Sequence, residues 1–281
     1  MSLFFRGKFC CIPLSGTQIL HKLCTNLVHQ NFLQILGSPL RYNIFVKKTF
    51  AQKINEKVKA SYSQFPGEFN QTRKRQWPEF DHFLAYTKKH AKVLDLGCGT
   101  GRLYDFLKPK EVSYLGIDHN SRMLELARKN FPDTVFRLDD IMDLHLEKEA
   151  FDNIFCVAAF HHVPTKKMRR KILNDLEKAI KPDGILILTV WNLFQFRYWG
   201  PVLKGILKSV LTLGLGGAWN DLFIKWGDYP VKRYYHAFLP SELLALFSHK
   251  NWKIEEFYFT RKGKRVRWFR SFNFVLIARK R

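Results

Sequence analysis

The feature that most constrains this chain is a glycine-rich turn between an apolar strand and a helix. Residues Lys92–Leu96 form the apolar run, three glycines follow at alternate positions (Gly97, Gly99 and Gly101), and Arg102 begins the helix. Glycine adopts backbone conformations closed to other residues and lets the main chain approach a ligand closely. The turn lacks the Lys-Ser/Thr pair of a phosphate-binding P-loop, and its glycine spacing differs from the dinucleotide fingerprint. A buried strand that leads into a ligand-binding turn is therefore predicted.

Strand-like and helix-like segments alternate after this turn. Strands are predicted at 92–96, 113–117, 134–138, 153–157 and 185–190, and helices at 51–62, 78–89, 102–107, 120–130 and 165–180. Repeated units of this kind predict a parallel sheet with helices on both faces, with ligands at the carboxyl ends of the strands. A helix over 240–250 and strands over 252–261 and 271–279 predict an antiparallel hairpin at the sheet edge.

The segment Asp95-Leu96-Gly97-Cys98-Gly99-Thr100-Gly101 resembles the first motif of the class I S-adenosylmethionine-dependent methyltransferases. This resemblance extends over about Lys92 to Val190. It implies an α/β, Rossmann-like fold with a seven-stranded, mostly parallel sheet, helices on both faces and an antiparallel terminal hairpin. It also implies S-adenosyl-L-methionine as the cofactor.

Acidic residues at the ends of three successive strands suit the polar groups of this cofactor. Asp95 faces its amino-acid end, directly or through water, and Asp118 can accept hydrogen bonds from both ribose hydroxyls. The residues predicted to bind the cofactor are Asp95, Gly97, Gly99, Gly101, Asp118, His119, Asp139, Asp140 and Ile141.

The adenine end leaves alternatives open. Asp140 can accept from the adenine amino group while the Ile141 N–H donates to the ring, and Asp139 is a near-equal candidate for the acidic role. His119 can lie along the adenine or be an exposed loop histidine.

A pair of histidines follows the fourth predicted strand. His161 and His162 stand in the segment 158–164, at the sheet edge where a methyl acceptor must lie. Both are candidate catalytic residues. At least one of them can instead pack structurally and hydrogen-bond the backbone.

Four further segments narrow the substrate. They are Thr72–Phe80, Ala159–His162, Thr189–Asn192 and Arg233–Phe238. In this order they resemble the eukaryotic-type tRNA methyltransferases that esterify carboxymethyluridine at the wobble position, and the methyltransferase domain of AlkB-type tRNA hydroxylases. The resemblance covers roughly residues 54–280.

This second resemblance implies roles for residues and partners. A carboxymethyl acceptor is already ionised, so it needs a cation to orient it, and Arg73 can supply a bidentate clamp. Arg73 can alternatively bind the carboxylate of the cofactor, or be a solvated arginine in a basic run. The resemblance implies acceptor or phosphate contacts for Arg233, Tyr235 and His236. These residues can alternatively form a cluster that packs a loop. It also implies tRNA as substrate and a small zinc-binding activator subunit, as in eukaryotic relatives.

The charge balance favours an anionic partner. The chain has 47 basic and 24 acidic residues, a formal net charge of +23. This excess favours nucleic acid over an anionic membrane surface, although a generally basic proteome would give the same balance. A small-molecule methyltransferase acting on a quinone or lipid precursor is the alternative, with residues 192–229 as an acceptor pocket. A non-catalytic binding module is a third hypothesis.

The first fifty residues contain no acidic side chain. Residues 1–50 are interpreted as a basic extension that is poorly ordered, a mitochondrial-type transit peptide, an upstream extension outside the fold, or an RNA-binding arm. Residues 51–281 are predicted to form the methyltransferase domain, with an insert at 192–229 that covers the site. A cytoplasmic location is expected, or a mitochondrial one if 1–50 is a transit peptide. No stable membrane insertion and no metal site are predicted.

Overall fold

The computed structural model describes residues 49–64, 67, 77–212, 218–225, 231–248 and 251–281. The predictions for Arg73 and for residues 1–48 lie outside these residues. Within the described chain, a large mixed sheet is covered by helices, and a smaller hairpin lies beside it.

The strands of the described residues form two sheets. In chain order they are β1 Lys92–Leu96, β2 Ser113–Asp118, β3 Val135–Leu138, β4 Phe151–Val157, β5 Ile180–Trp191, β6 Asp221–Lys225, β7 Lys232–His236, β8 Trp252–Arg261, β9 Lys264–Arg265 and β10 Asn273–Lys280. The large sheet has the order β3-β2-β1-β4-β5-β10-β8-β9, and β6 pairs with β7 in the small one. Strands β1 to β5 run parallel, whereas β10 is antiparallel to both β5 and β8. The predicted seven-stranded sheet is thus present, with the two-residue β9 added at its edge.

Helices cover both faces of the large sheet. They are α1 Phe50–Ser63, α2 Phe80–Leu84, α3 Arg102–Leu107, α4 Ser121–Asn130, α5 Lys166–Ala179, α6 Trp199–Leu211 and α7 Pro240–Leu246. Because successive strand residues point to opposite faces, Leu94 packs in a core with α5 and α7, while Val93 packs in a second core with α2, α3 and α4.

Several predicted elements differ from the structure. The strand expected over 185–190 extends over Ile180–Trp191, and the helix expected over 240–250 ends at Leu246. The helix expected over 78–89 ends at Leu84, since Tyr86 and Thr87 form turn bonds to Phe83 and Leu84 instead of continuing the helix. The segment 192–229 was expected to be one insert. Its described part contains α6 and β6, and β6 pairs with β7 as a hairpin.

Helix α1 lies beside the carboxyl edge of the sheet. Its N-terminus is closed by a capping box between Thr49 and Gln52. Near its other end, the Asn120 side chain donates to the Lys59 carbonyl across 3.2 Å, and Arg122 donates to the Ser63 carbonyl across 2.6 Å. These bonds fasten α1 to the start of α4, next to the predicted ligand edge.

Candidate active site

A cleft opens at the carboxyl ends of β1, β2, β3 and β4. The space between its walls, including space open to solvent, is about 1160 Å³. Its lining includes Gly97 and Gly99 of the glycine turn, but not Gly101. Asp118, Asp139 and the apolar side chains of Leu103, Met123, Ile141 and Met142 also line it. Asn55, Val58 and Tyr62 of α1 complete the wall. The cleft therefore combines acidic groups with an apolar surface.

The glycine turn needs its glycines for backbone and steric reasons. Gly97, Gly99 and Gly101 have backbone φ values of +78°, +55° and +80°, which residues other than glycine rarely adopt. A Cβ atom on Gly97 would lie 2.4 Å from the Cβ of Ala159, and one on Gly101 would lie 2.9 Å from Phe131 and Phe136. The turn is thus fitted closely between β1 and the segment after β4.

Asp95 is a buried acid at the end of β1. Its carboxylate accepts a hydrogen bond from the Tyr114 hydroxyl across 2.6 Å, and the residue is only 2% exposed. Burial raises the pKa of the Asp95 carboxyl to about 7, and the nearby Asp118 acts in the same direction, while the Tyr114 bond opposes the shift. A cation that binds beside Asp95 would favour its ionised form.

Asp118 lies at the end of β2 and faces the glycine turn. One carboxylate oxygen accepts from the Gly99 N–H across 3.0 Å, and the other accepts from the Asn120 N–H across 2.8 Å. Each oxygen keeps a second lone pair. The side chain is therefore fixed in orientation and can accept further bonds inside the cleft.

Of the residues predicted to bind the adenine, the structure places some in the cleft lining and one outside it. Asp139, Ile141 and His119 line the cleft, whereas Asp140 is not part of its described lining. The Asp140 carboxylate accepts from the Asn55 side chain across 2.6 Å and from the Met142 N–H across 2.9 Å. Asp140 thus fastens α1 to the loop after β3, and this placement favours Asp139 as the acid facing the cleft.

His162 lies in the cleft wall, and hydrogen bonds to both ring nitrogens define its tautomer. One ring nitrogen is 2.7 Å from the Tyr234 carbonyl, to which it donates, and the other is 2.8 Å from the Tyr62 hydroxyl, from which it accepts. Burial lowers the pKa of His162 to about 3, against the opposing effect of the bond to Tyr234. The imidazole is therefore neutral at physiological pH, and its geometry suits positioning rather than proton transfer.

His161 packs inside an aromatic cluster. Its ring stacks on Tyr235 at a centroid distance of 5.3 Å, and its Nδ1 accepts from the Trp191 N–H across 3.3 Å. Tyr235 also stacks on Trp191, with 5.3 Å between ring centroids. Both His161 and Tyr235 are buried. The structure thus gives His161 and Tyr235 packing contacts behind the cleft, while their catalytic and substrate roles stay predictions.

Arg233 and His236, predicted to contact the substrate, are both 1% exposed. The Arg233 guanidinium stacks 3.9 Å from the centre of the Tyr62 ring. The two ring nitrogens of His236 lie 2.7 Å from carboxylate oxygens of Asp221 and Glu242. Neither residue belongs to the described lining of the cleft. In this structure they join α1, β6, β7 and α7, and their contact with substrate stays a prediction.

A second chamber shares a wall with the cleft. Arg102, Ala158 and Trp191 line both cavities. The remaining lining of the chamber consists of Trp77, Gln195, Arg197, Tyr198, Phe272 and Asn273. The Arg197 guanidinium lies 4.5 Å from the centre of the Tyr198 ring. The chamber therefore offers flat aromatic surfaces and two cations directly beside the cleft.

Several of these residues were not singled out from the sequence as site residues. Tyr114 is the second residue of a strand, Asn55 and Tyr62 stand on a helix outside the glycine motif, and Arg197 follows the β5 end. Tyr114 could have been found, because it stands beside Val93 of β1 in the parallel register. Val93 and Asp95 are two residues apart and so lie on the same face of the sheet as Tyr114. The other three depend on how distant segments pack.

Similar sequences among known proteins are those of methyltransferases. The methyltransferase domain family matches residues 93–184. A protein of Encephalitozoon cuniculi (strain GB-M1) named as a methyltransferase is 30% identical over 195 residues, which are 69% of this chain and 85% of that protein. The tRNA (carboxymethyluridine(34)-5-O)-methyltransferase of Arabidopsis thaliana is 28% identical over 130 residues, 46% of this chain and 31% of the plant protein. The chain thus spans less than a third of that plant relative.

Solved structures show the same fold. A SAM-dependent methyltransferase from Methanosarcina mazei matches with a TM-score of 0.59 and 22% identity, over 71% of this chain and 96% of that one. A chain in the complex between the Haloferax volcanii Trm112 methyltransferase activator and a methyltransferase matches with a TM-score of 0.53 and 16% identity, over 79% and 97%. Together with the sequence relatives, they confirm the predicted fold and cofactor class. The chain belongs to the class I S-adenosylmethionine-dependent methyltransferases.

Proposed function

We propose that this methyltransferase esterifies a carboxymethyl-type modified uridine at the wobble position of tRNA. The observation that carries the proposal is the chamber beside the cofactor cleft, which joins aromatic surfaces to the cations Arg102 and Arg197. Aromatic side chains stack on unpaired RNA bases, and arginine binds carboxylates in a bidentate way. The similarity to a tRNA (carboxymethyluridine(34)-5-O)-methyltransferase supports the same acceptor.

The residues of the cleft fit the parts of S-adenosylmethionine. Asp95 would bind the cationic amino end, because a buried acid with a raised pKa is stabilised by a nearby positive charge. Asp118 would accept from the ribose hydroxyls with its remaining lone pairs. Asp139 and the Ile141 N–H would face the adenine, with His119 along its ring. The bound cofactor supplies a methyl group activated by a sulfonium.

The acceptor would need orientation more than activation. A carboxylate is ionised at neutral pH, so no strong general base is required to make it nucleophilic. Arg197 and Arg102 would hold it toward the shared wall at Ala158. The neutral His162, held by Tyr62 and Tyr234, would shape this wall and help to exclude water. Arg73 remains a further candidate for the carboxylate.

Surface charge supports an RNA substrate. The formal net charge is +23, and the segment after β9 presents the exposed rings of Trp268 and Phe269 between Arg267 and Arg270. Cations that neutralise phosphates beside rings that stack on bases suit single-stranded RNA. Arg169, one of the basic residues of α5, is buried and donates to the Val163 carbonyl, so it belongs to the core rather than to this surface.

A partner subunit is part of the proposal. The methyltransferase chain from Haloferax volcanii was solved with an activator. In the present chain β3 is an edge strand of the large sheet, and its Val135 and Leu138 side chains are 63% and 53% exposed. An edge strand with exposed apolar side chains suits pairing with another chain. We propose this edge as the place where a small activator would bind.

Nucleoside analysis of tRNA from a deletion strain tests the function. The wobble uridine should lose its methyl ester and accumulate the free acid, and the wild-type gene should restore the ester. An Asp95→Asn gene should not restore it. An unchanged nucleoside profile in the deletion strain would refute the proposed substrate and favour a small-molecule acceptor.

A further inference from the structure

Helix α6 presents a ridge of exposed apolar side chains. Seven of the thirteen large apolar side chains exposed in the described part of the chain lie between residues 196 and 211. This α6 ridge consists of Phe196, Trp199, Leu203, Ile206, Leu207, Val210 and Leu211. With about 3.6 residues per turn, those on the helix fall on one face. The fractions of 86% for Phe196 and 74% for Leu211 show that the ridge points to solvent.

The opposite face of α6 holds the ridge in this orientation. A Cβ atom on Gly205 would lie 2.1 Å from the Trp219 carbonyl oxygen and 3.4 Å from the Leu222 side chain. Glycine at this position therefore lets α6 approach β6 and the residues before it very closely. Rotating the helix about its axis to bury the ridge would break this contact. The packing of α6 therefore keeps the ridge exposed. Contiguous apolar surface of this kind marks an interaction site.

The charges around the α6 ridge have one sign. Arg197 precedes the helix, and Lys204 and Lys208 stand on its flank. The sequence contains no acidic residue from position 184 to position 220. Together with the formal net charge of +23, this composition calls for a partner that is both apolar and anionic.

We propose that the α6 ridge binds the surface of an anionic phospholipid membrane. A surface-bound amphipathic helix buries Trp, Phe and Leu side chains at the headgroup boundary while flanking lysines contact anionic headgroups. Helix α6, with 13 residues, is about 20 Å long, which is shorter than the hydrocarbon core of about 30 Å. No helix in the described residues is long and apolar enough to cross a membrane. The helix therefore lies in the plane of the surface.

Two other occupants fit the observations less well. A second copy packed ridge to ridge would place Lys204 and Lys208 of both copies near one another, without any acidic side chain from this segment to offset them. RNA would find the two aromatic rings of Phe196 and Trp199, but the five aliphatic side chains of the ridge offer no stacking surface.

Vesicle co-sedimentation of the full-length protein tests the proposal. The vesicles contain phosphatidylcholine with phosphatidylglycerol, or phosphatidylcholine alone. The test variant is Leu203→Glu/Leu207→Glu on the ridge. The matched control is Val135→Glu/Leu138→Glu, which makes the same charge change at exposed apolar positions of β3. Thermal melts of both variants verify that they fold.

The wild-type protein and the control should bind the anionic vesicles and bind phosphatidylcholine poorly. The ridge variant should bind the anionic vesicles at least about tenfold more weakly, since two leucines no longer enter the lipid. Equal sedimentation of ridge variant and wild type, or no sedimentation of the wild type, would overturn the proposal. The proposal would also be overturned if ultracentrifugation without lipid showed a dimer of the wild-type protein that the ridge substitutions abolish. None of these outcomes depends on the methyl acceptor.

Discussion

The Tyr114 hydroxyl donates a hydrogen bond of 2.6 Å to the buried carboxylate of Asp95. The two residues stand on neighbouring parallel strands, directly beneath the glycine turn. The bond fixes the acid in place and acts to lower its pKa, but burial outweighs this effect and raises the pKa of Asp95 to about 7. A pKa near neutrality lets Asp95 gain or lose its proton at physiological pH, and a bound cation would favour the ionised form.

Affinity for S-adenosylmethionine should therefore depend on pH. The cofactor's amino group favours ionised Asp95, so binding weakens as pH falls through about 7 and the acid takes up a proton. Calorimetry at about pH 6 should give a dissociation constant about tenfold higher than at about pH 8.

The Tyr114→Phe variant is the matched control, because it removes only the hydroxyl that opposes the shift. Its affinity should be weaker at neutral pH, and its transition should move to higher pH. A pH-independent dissociation constant in the wild-type protein would contradict a contact between Asp95 and the amino group.

Replacing Gly97 by alanine should destabilise the protein. The backbone at Gly97 has φ +78°, and the new Cβ would meet that of Ala159 at 2.4 Å. Strain and overlap together should lower the free energy of unfolding by more than about 2 kcal/mol and abolish cofactor binding. Urea denaturation measures the first effect and calorimetry the second.

Gly200→Ala serves as the control for this variant, since Gly200 is a helical glycine whose added Cβ meets nothing within 4 Å. It should be neutral or slightly stabilising. Equal stability of the two variants would show that the glycine turn is not under the constraint described.

His162 should make the fold sensitive to mild acid. Its pKa is lowered from 6.5 to about 3 in the folded protein, so the unfolded chain takes up a proton that the folded one refuses. The contribution of the neutral His162 to the free energy of unfolding is fully present above about pH 6.5 and is lost as pH falls toward 3. Between about pH 7 and pH 5, the wild-type free energy of unfolding should fall by about 1–2 kcal/mol relative to His162→Gln. If the difference in free energy of unfolding between the two proteins stayed constant from about pH 7 to pH 5, this would argue against a buried, neutral His162.

Arg197 should determine how well the acceptor binds. On the proposed function, Arg197→Ala removes the cation of the chamber that does not also line the cofactor cleft. We expect KM for tRNA to rise about tenfold or more, with little change in cofactor affinity. Arg197→Lys keeps the charge but loses the planar fork, so it should recover only part of the activity. Steady-state kinetics and calorimetry separate these effects, and an unchanged KM would place the acceptor elsewhere.

Local sequence was enough to predict the large sheet, because most of its strands are apolar runs and the first three end at glycine or acidic residues. The turn at Gly97–Gly101 and the cleft position of Asp118 followed from the same pattern. The β6–β7 hairpin was missed since its strands are short and rich in charged and aromatic residues.

The burial of individual residues was harder to predict than the elements. Arg233 and His236 are polar residues that are not expected to be fully buried without partners. The Tyr62 ring provides a partner for Arg233, and the acids Asp221 and Glu242 provide partners for His236, so both are buried. Likewise, Asp139 and Asp140 are adjacent acids that no local pattern distinguishes. Only the position of Asn55 on α1 shows that the Asp140 carboxylate is bound to a side chain of the cleft wall.

Transfer of a labelled methyl group to tRNA tests the central claim most directly. Bulk tRNA is first treated with mild alkali, which converts methyl esters to free carboxylates. The tRNA is then incubated with labelled S-adenosylmethionine and the purified protein, alone and with extract from the deletion strain to supply any partner. We predict a labelled, alkali-labile methyl ester on the wobble uridine, absent with Asp95→Asn. No label in tRNA under either condition, or a label that resists alkali, would contradict the proposed reaction.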